Sequence, residues 1–145
     1  MSSSAEASIR SLVSRYAQAV VQRDAAAWGS TWATGGIWEL LGQAPTGRKA
    51  VLEHWNRLMS GIVFVYQLAG EGSVHVDQSG ARGTGRFPTV EFTKLGDGPG
   101  TLLLGTYHDE YIVEEGEWRF AHRRMEIHYM GPSDMSGSPM PTGSS

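Results

Sequence analysis

The feature that most constrains this chain is the length of the alternating apolar and polar runs in its second half. The alternation predicts strands over residues 62–69, 73–77, 81–94, 101–114 and 117–129. Turn residues separate these runs at Ser79-Gly80, "GDGPG" and Glu115-Gly116. Strands joined by such short turns favour an antiparallel meander. The longest runs exceed the usual strand length, so they must bend, and a bent sheet can curl around a cavity.

Helical periodicity fills the first half of the chain. It predicts a first helix that ends near residue 22, a short second helix capped by Asp24 with Trp28 and Trp32 on one face, and a third helix from Thr46 to Gly61. The segment "GGIWELLG" reads as a short extended piece. Helices that precede a run of strands indicate the α+β class. We predict a single domain over residues 1–130 and a flexible C-terminal tail over 131–145, which is rich in Gly, Ser and Pro.

The composition narrows the possible functions. The 145 residues carry a net charge of -3 with scattered Lys and Arg, which argues against nucleic-acid binding and against a polybasic membrane surface. The absence of Cys excludes disulfides and thiolate chemistry. The five His lack a compact ligand spacing, so we expect no metal site and no cofactor. We find neither a leader-like segment nor a run of about 20 apolar residues, and we therefore expect a cytoplasmic protein.

Two segments of the chain resemble a known superfamily. They are "RYAQAVVQRDAAAW" and "YHDEYIVEEGEWRFAHRR". Over residues 9–129 the chain resembles the cone-shaped α+β superfamily of nuclear transport factor 2, SnoaL-like polyketide cyclases, scytalone dehydratase and hexachlorocyclohexane dehydrochlorinase. The resemblance implies N-terminal helices packed on a strongly curved antiparallel sheet that forms a cone with an internal pocket. It also implies a homo-oligomer joined through the outward sheet face, with a trimer favoured over a dimer.

The dehydratase and dehydrochlorinase branch of this superfamily uses a base dyad of Asp and His at the centre of the cone. The resemblance places the Asp position at Val21. It places the His position at Gln67, or at Tyr66 if the register slips by one residue. Valine and glutamine do not titrate, so neither can act as that dyad. An enzyme with this sequence must carry its acid and base elsewhere.

The register of the last hairpin decides which of its residues face the pocket. A two-residue loop at Glu115-Gly116 pairs His108 with Arg123, whereas a three-residue loop with a bulge at Gly116 pairs Tyr107 with Arg123. A shift of one residue exchanges the two faces. The resemblance favours the bulged loop and implies four wall residues: Leu103, Tyr107, Arg123 and Met125. With the two-residue loop, His108 becomes the leading catalytic candidate.

Two carboxylates complete the candidate catalytic residues. Glu91 alternates with Phe87 and Thr89 onto one strand face, which the resemblance turns toward the pocket. There, burial would raise the pKa of Glu91 and Arg123 would lower it, a competition that can set a base near neutrality. Asp109 shares the face of Tyr107 in either register and is a candidate to hold Arg123 or to react alongside it. The alternatives are a solvated strand glutamate and a structural charge partner within the sheet.

The remaining candidates would form an apolar cavity closed at one end. These substrate-binding candidates are Tyr16, Val21, Trp38, Leu58, Ile62, Val65, Leu103 and Met125. Trp38 precedes Leu40 on the same strand face and matches a pocket Trp of the dehydrochlorinase. Trp28, Trp32 and Trp55 are instead predicted to pack in the core. A flat apolar or aromatic ligand would suit such a cavity.

Together these features predict a cofactor-independent lyase, dehydratase-like or retro-aldol-like, that acts on a small apolar or aromatic hydroxylated molecule. In this hypothesis Glu91 is the base, Tyr107 the hydroxyl donor or acceptor, Arg123 the charge stabiliser and Gln67 the orienting amide. An isomerase, polyketide cyclase or epoxide hydrolase could use the same pocket, with more of the chemistry on Asp109 and Arg123. A non-catalytic small-molecule binding protein is the third possibility.

Overall fold

The computed structural model describes residues 3–134 and 136–138, and within them the chain forms three helices and six strands. The first strand lies between the second and third helices, and the other five follow the third helix. The helices are α1 (Ser3–Gln22), α2 (Ala25–Ser30) and α3 (Arg48–Ser60). The strands are β1 (Trp32–Glu39), β2 (Ile62–Ala69), β3 (Ser73–Val76), β4 (Arg82–Leu95), β5 (Gly100–Glu114) and β6 (Glu117–Ser133). This arrangement confirms the predicted α+β class.

The described strands form one curved sheet in the order β1-β6-β5-β4-β2, with β3 also paired to β4. Strand β1 runs parallel to β6, whereas the other pairs are antiparallel. Strands β4, β5 and β6 contain 14, 15 and 17 residues. Register shifts interrupt the pairing of β5 with β6 at two places. Because bulges bend the strand that carries them, these long strands curl around the helices rather than lying flat.

The helices cover the inner face of the sheet with an aromatic core. Tyr16 of α1 lies 5.4 Å from the ring of Trp28 and 5.3 Å from that of Phe120. Trp28 in turn stacks on Trp55 of α3 with the ring centroids 4.7 Å apart. The side chains of Trp28, Trp32 and Phe120 are fully buried. The core therefore joins all three helices to the β5–β6 hairpin, as the tryptophan pattern predicted.

Two helix boundaries differ from the prediction. The hydroxyl of Thr31 donates to the carbonyl oxygen of Trp28, and α2 ends at Ser30. Trp32 is consequently the first residue of β1 and not part of a helical face. The third helix begins at Arg48 instead of Thr46, because the preceding Gly47 adopts a φ of 92°, in the left-handed region.

The C-terminal boundary also differs. Strand β6 continues to Ser133, and residues 131–133 pair with residues 100–102 of β5. The predicted tail over 131–145 therefore begins too early, because its first three residues complete the sheet. Residue 135 and residues 139–145 of that segment lie outside the described residues.

The last hairpin has the two-residue loop, one of the two predicted alternatives, but its register changes before it reaches Arg123. Its loop has two residues, with φ of 54° at Glu115 and 77° at Gly116, as a type I′ turn requires. A bulge at Ala121 then shifts the pairing, so that Tyr107 pairs with Met125 and Asp109 with Arg123. Both predicted partners of Arg123 were wrong because the extra residue lies in β6 and not in the loop.

Candidate functional site

A small cavity of about 60 Å³ lies between the helices and the inner face of the sheet. Ten apolar side chains, two phenols, one amide and one carboxyl group line it. They are Tyr16, Val20, Trp38, Leu40, Trp55, Leu58, Met59, Ile62, Val65, Gln67, Glu91, Leu103, Tyr107 and Met125. Leu58, near the end of α3, is 41% exposed and is the most exposed of these residues, so we take its side of the cavity as the entrance. The site is therefore a closed apolar space with few polar groups.

One group of polar atoms in the cavity comes from Tyr16, Tyr107 and Trp38. The Tyr16 and Tyr107 hydroxyl oxygens lie 3.2 Å apart, and Trp38 Nε1 donates to the Tyr107 hydroxyl at 3.2 Å. Burial raises the pKa of both phenols, so both stay protonated near neutrality. One phenolic proton is used between the two hydroxyl groups. The other remains to donate to a bound molecule.

The second polar group is a carboxyl–amide pair. Gln67 on β2 lies opposite Glu91 on β4, and Gln67 Nε2 donates to Glu91 Oε2 at 2.7 Å. Burial raises the pKa of Glu91, and the hydrogen bond from Gln67 opposes part of that rise. Among the described residues, Gln67 is the only hydrogen-bond partner of this carboxyl group. The second oxygen is therefore available to a ligand.

The two polar groups approach the cavity from different places along β5. Glu91 pairs with Leu103, whereas Tyr107 lies four residues further along the same strand. At about 3.3 Å per residue this separates the two backbone positions by about 13 Å, less the effect of bending. No hydrogen bond joins the carboxyl group to either phenol in the described part of the chain. A small molecule in the cavity would lie between them.

Arg123 lies behind the cavity wall. Its guanidinium carbon lies 3.8 Å from the ring centroid of Tyr107, 4.5 Å from that of Tyr16 and 4.3 Å from that of Phe120. The guanidinium also donates to Asp109, from Nε to Oδ1 at 2.7 Å and from Nη2 to Oδ2 at 3.1 Å. Burial disfavours the cation, but Asp109 and the phenols outweigh it, so the pKa of Arg123 is raised. Arg123 therefore stays charged, with Nε and Nη2 bound to Asp109 and its guanidinium packed against three rings.

Asp109 completes a buried network beneath Tyr107. Its side chain accepts a hydrogen bond from the Tyr111 hydroxyl at 2.7 Å, and the residue is 3% exposed. Gly85, on the adjacent strand, makes space for this contact: a Cβ atom there would lie 2.5 Å from the Tyr111 oxygen. The glycine-rich "GARGTGR" segment thus serves packing, since Gly83 and Gly85 both face Tyr111.

Most of the sequence-predicted site residues meet at the cavity. Those that line it are Tyr16, Trp38, Leu58, Ile62, Val65, Gln67, Glu91, Leu103, Tyr107 and Met125. Arg123 and Asp109 lie on the same inner face but do not line the cavity, and the guanidinium packs against the rings of Tyr16 and Tyr107, which do. Burial and the hydrogen bond from Gln67 shift the pKa of Glu91, and the predicted contribution of Arg123 is not among the causes.

Two predicted positions were wrong. His108 points to the outer face, where its Nε2 lies 2.8 Å from Glu126 Oε1, because neighbouring strand residues alternate between faces and Asp109 points inward. Val21 lies in an open groove between α1 and β2. Its neighbour Val20 lines the cavity instead, because it follows Tyr16 by one helical turn.

The sequence analysis missed Val20, Trp55 and Met59 as cavity residues. Trp55 was assigned to the core, and it does stack on Trp28 while another part of its ring faces the cavity. Met59 follows Trp55 by four residues, so the two share one face of α3. That spacing could have identified them from the sequence.

The described residues contain no group of three or more His, Cys, Asp or Glu side chains placed to hold a metal ion. No helix in the described part of the chain is long and apolar enough to span a membrane.

Comparison with known proteins identifies the fold and the family. The family model described as a SnoaL-like domain matches residues 1–124. A hexachlorocyclohexane dehydrochlorinase of Novosphingobium barchaimii is 19% identical, with 95% of this chain and 96% of that chain covered and a TM-score of 0.83. A Novosphingobium aromaticivorans protein named for scytalone dehydratase is 13% identical, with 97% and 94% covered and a TM-score of 0.81.

A Mycobacterium tuberculosis protein of unknown function is 26% identical, with 82% of this chain and 69% of that chain covered and a TM-score of 0.72. No protein with a curated description matches the chain. The structural likenesses confirm the cone-shaped fold, and the family match confirms the resemblance predicted from the two quoted segments.

Proposed function

The chain belongs to the SnoaL-like domain family, and we propose that it is a cofactor-independent lyase that eliminates water from, or cleaves, a small hydroxylated carbonyl compound. One observation carries the proposal: a carboxyl group with a raised pKa and a phenol with a free proton line the same closed cavity. A base and an acid on different sides of one substrate are what an elimination requires.

In the proposed dehydration, Glu91 removes the proton from the carbon next to the substrate carbonyl. The electron pair of that C–H bond forms the C=C bond, and the C–O bond to the substrate hydroxyl breaks. The departing oxygen takes the proton of Tyr107 and leaves as water. Transfer of the proton from Glu91 to the Tyr107 phenolate then restores both groups. In the retro-aldol variant, Glu91 removes the hydroxyl proton, and a C=O bond forms as the neighbouring C–C bond breaks. The enolate that leaves takes the proton of Tyr107, and the proton on Glu91 then returns to the Tyr107 phenolate.

Arg123 and Asp109 act as positioning residues in this proposal. A phenolate at Tyr107 is disfavoured by burial, but the guanidinium 3.8 Å from its ring stabilises the negative charge. The hydrogen bonds from Trp38 and Tyr16 act in the same direction. Asp109 holds the guanidinium in place with two hydrogen bonds. Gln67 orients the carboxyl group of Glu91.

The cavity volume supports a small substrate. The volume of about 60 Å³ is less than half of the roughly 150 Å³ that admits benzene in an engineered protein cavity. An aromatic substrate would require the entrance to widen, and the half-exposed Leu58 is the side chain whose rotation would do so. Aliphatic hydroxyketones with six to eight non-hydrogen atoms are at least as large as benzene and require the same widening, so we test small ones that still carry the reacting groups.

The test is turnover of two hydroxyketones followed by ¹H NMR: 4-hydroxybutan-2-one for dehydration and 4-hydroxy-4-methylpentan-2-one for retro-aldol cleavage. We expect Glu91→Gln and Tyr107→Phe each to lower the rate by about 100-fold or more, the usual contribution of one positioned acid or base. Glu110→Gln, an exposed carboxylate on the same strand as Tyr107, is the matched control. Equal rates in Glu91→Gln and the native protein would refute the proposal.

A non-catalytic binding protein is the second candidate. The positions that the resemblance assigns to the family's base dyad carry Val21 and Gln67, and Val21 lies outside the cavity. Recovery of unchanged ligand after long incubation would support this candidate. The epoxide hydrolase alternative is weakened, since Asp109 and Arg123 bind each other behind the wall and do not face the cavity.

We also propose that copies of this chain associate through the outer face of the sheet, as a trimer in preference to a dimer. Two rows of uncharged residues cross four strands on that face. They are Leu68–Val90–Leu104–Tyr129 and Tyr66–Phe92–Leu102–Gly131. Next to them stand cationic and anionic side chains, Arg124 and Glu126, so one copy offers both signs of charge to another. An apolar patch rimmed by charges is typical of such an interface.

Light scattering tests the association. We expect a mass near three times the 15.8 kDa of the chain, with Leu104→Glu reducing it to one chain. Leu41→Glu is the control, because Leu41 is 59% exposed at the turn that follows β1 and lies off the sheet face. A native mass of a single chain would refute the proposal.

A further inference from the structure

Among the described residues, the cavity is lined by a carboxylate and by no cationic side chain, and this imbalance determines which ligands it accepts. Of the fourteen residues that line it, Glu91 is the single acidic one, and none is Lys, Arg or His. We infer that the cavity binds an uncharged molecule and that Glu91 is the residue that excludes anions. This inference rests on the proposed function only in placing the ligand in the same cavity.

The nearby cation does not change this balance. Arg123 is 1% exposed, and both its Nε and its Nη2 donate to Asp109. Its guanidinium packs against the rings of Tyr16 and Tyr107, which line the cavity, whereas Arg123 itself is not a lining residue. A ligand carboxylate would therefore meet the pair of Arg123 and Asp109, which is neutral as a unit. It would gain no ion pair in exchange for losing its water.

A ligand anion would also be repelled directly. Glu91 keeps one carboxyl oxygen free of protein hydrogen bonds in the described residues, and the cavity is small enough that any ligand lies within a few ångströms of it. At such distances two like charges in a partly buried site repel each other enough to weaken binding by about 100-fold. Exclusion of the wrong ligand by an unpaired charge is a common basis of specificity.

The hydrogen-bond inventory adds a second restriction. The phenols of Tyr16 and Tyr107 have one proton left after bonding to each other, and Glu91 has one free oxygen. A neutral molecule that fits has one acceptor, such as a carbonyl oxygen, for the phenol. At its other end it has an N–H, O–H or acidic C–H group for the carboxylate. Carboxylic acids, phosphate esters and sulfonates are excluded at neutral pH.

The test compares a neutral and an anionic ligand of nearly the same shape, isobutyramide and isobutyrate, by saturation-transfer NMR titration at pH 7.5. We expect isobutyramide to bind the native protein and isobutyrate to bind at least about 100-fold more weakly. In Glu91→Gln we expect the two affinities to come within about threefold of each other. Glu110→Gln, which removes an exposed carboxylate outside the cavity, should keep the native ratio.

Equal binding of the two ligands by the native protein would overturn the inference, as would failure of isobutyramide to bind at all or an unchanged ratio in Glu91→Gln. If Glu91→Gln does not fold, Glu91→Met removes the same charge and carries the same expectation. The experiment measures binding without turnover. If the protein binds the amide selectively but turns over neither hydroxyketone, this inference stands and the proposed lyase activity is refuted.

Discussion

Replacing Asp109 by Asn should destabilise the fold more than any other single removal of charge. Asp109 is 3% exposed and Arg123 is 1% exposed, and two hydrogen bonds of 2.7 and 3.1 Å join them. Asn keeps the shape of the side chain but leaves the guanidinium without a counter-charge in a buried site. Breaking a buried ion pair from one side costs about 3–5 kcal/mol.

This cost is large enough to measure by urea unfolding. With a urea dependence of about 2 kcal/mol per molar, the midpoint should fall by about 1.5–2.5 M. Glu110→Gln is the control: Glu110 is the next residue on β5, it is exposed, and its loss should change the unfolding free energy by less than about 0.5 kcal/mol. A loss below about 1 kcal/mol in Asp109→Asn would refute the assignment of an uncompensated buried charge.

A second variant separates the charge from the contacts. Asp109→Asn combined with Arg123→Met removes both the guanidinium and its counter-charge, so neither is left unpaired at this place. We expect the double variant to be at least about 2 kcal/mol more stable than the sum of the two single changes predicts. Additive effects would mean that the ion pair is not the source of the cost.

Two further predictions concern stability. Gly85→Ala should lower the unfolding free energy by about 1–3 kcal/mol, because its Cβ would lie 2.5 Å from the Tyr111 oxygen. Gly35→Ala is the control and should have little effect, since its Cβ would have nothing within 4 Å. Equal effects of the two changes in chemical denaturation would contradict this. The pKa of Glu91 is raised above its ordinary 4.5, so the folded state holds that proton more tightly than the unfolded state does. The stability gained from this protonation should be lost as the pH rises from about 4.5 through the raised pKa. Glu91→Gln should remove that part of the pH dependence, and an identical profile of unfolding free energy against pH in both proteins would contradict the shift.

The sequence predicted the cavity wall well where strand alternation controls the side-chain direction. Leu103 and Tyr107 on β5, and Gln67 on β2, point inward as expected, because a period of two leaves only two faces to choose from. On α1 the predicted cavity residue was wrong by one position. One residue turns a helical side chain by about 100°, so the error between Val20 and Val21 moved the position from the cavity to an open groove.

The hairpin shows what the sequence could not provide. The bulge at Ala121 decides the partner of Arg123, yet nothing in "RFAHRR" distinguishes that residue as unpaired. The screening of Arg123 from the cavity depends on rings from α1, β5 and β6 that converge only in the folded chain. Local sequence patterns carry no information on such a convergence. The sequence therefore predicted Arg123 as a cavity wall residue, whereas in the structure it packs behind the wall.

The most direct test of the central claim is hydrogen–deuterium exchange at the carbon next to the carbonyl of cyclopentanone, followed by NMR in D₂O. This ketone requires the same proton removal by Glu91 but has no leaving group, so the phenol of Tyr107 is free to donate to the carbonyl oxygen and stabilise the enolate. The account predicts exchange above the buffer rate for the native protein, and a loss of about 100-fold or more in Glu91→Gln and in Tyr107→Phe. Exchange at the buffer rate in the native protein, or undiminished exchange in both variants, would contradict it.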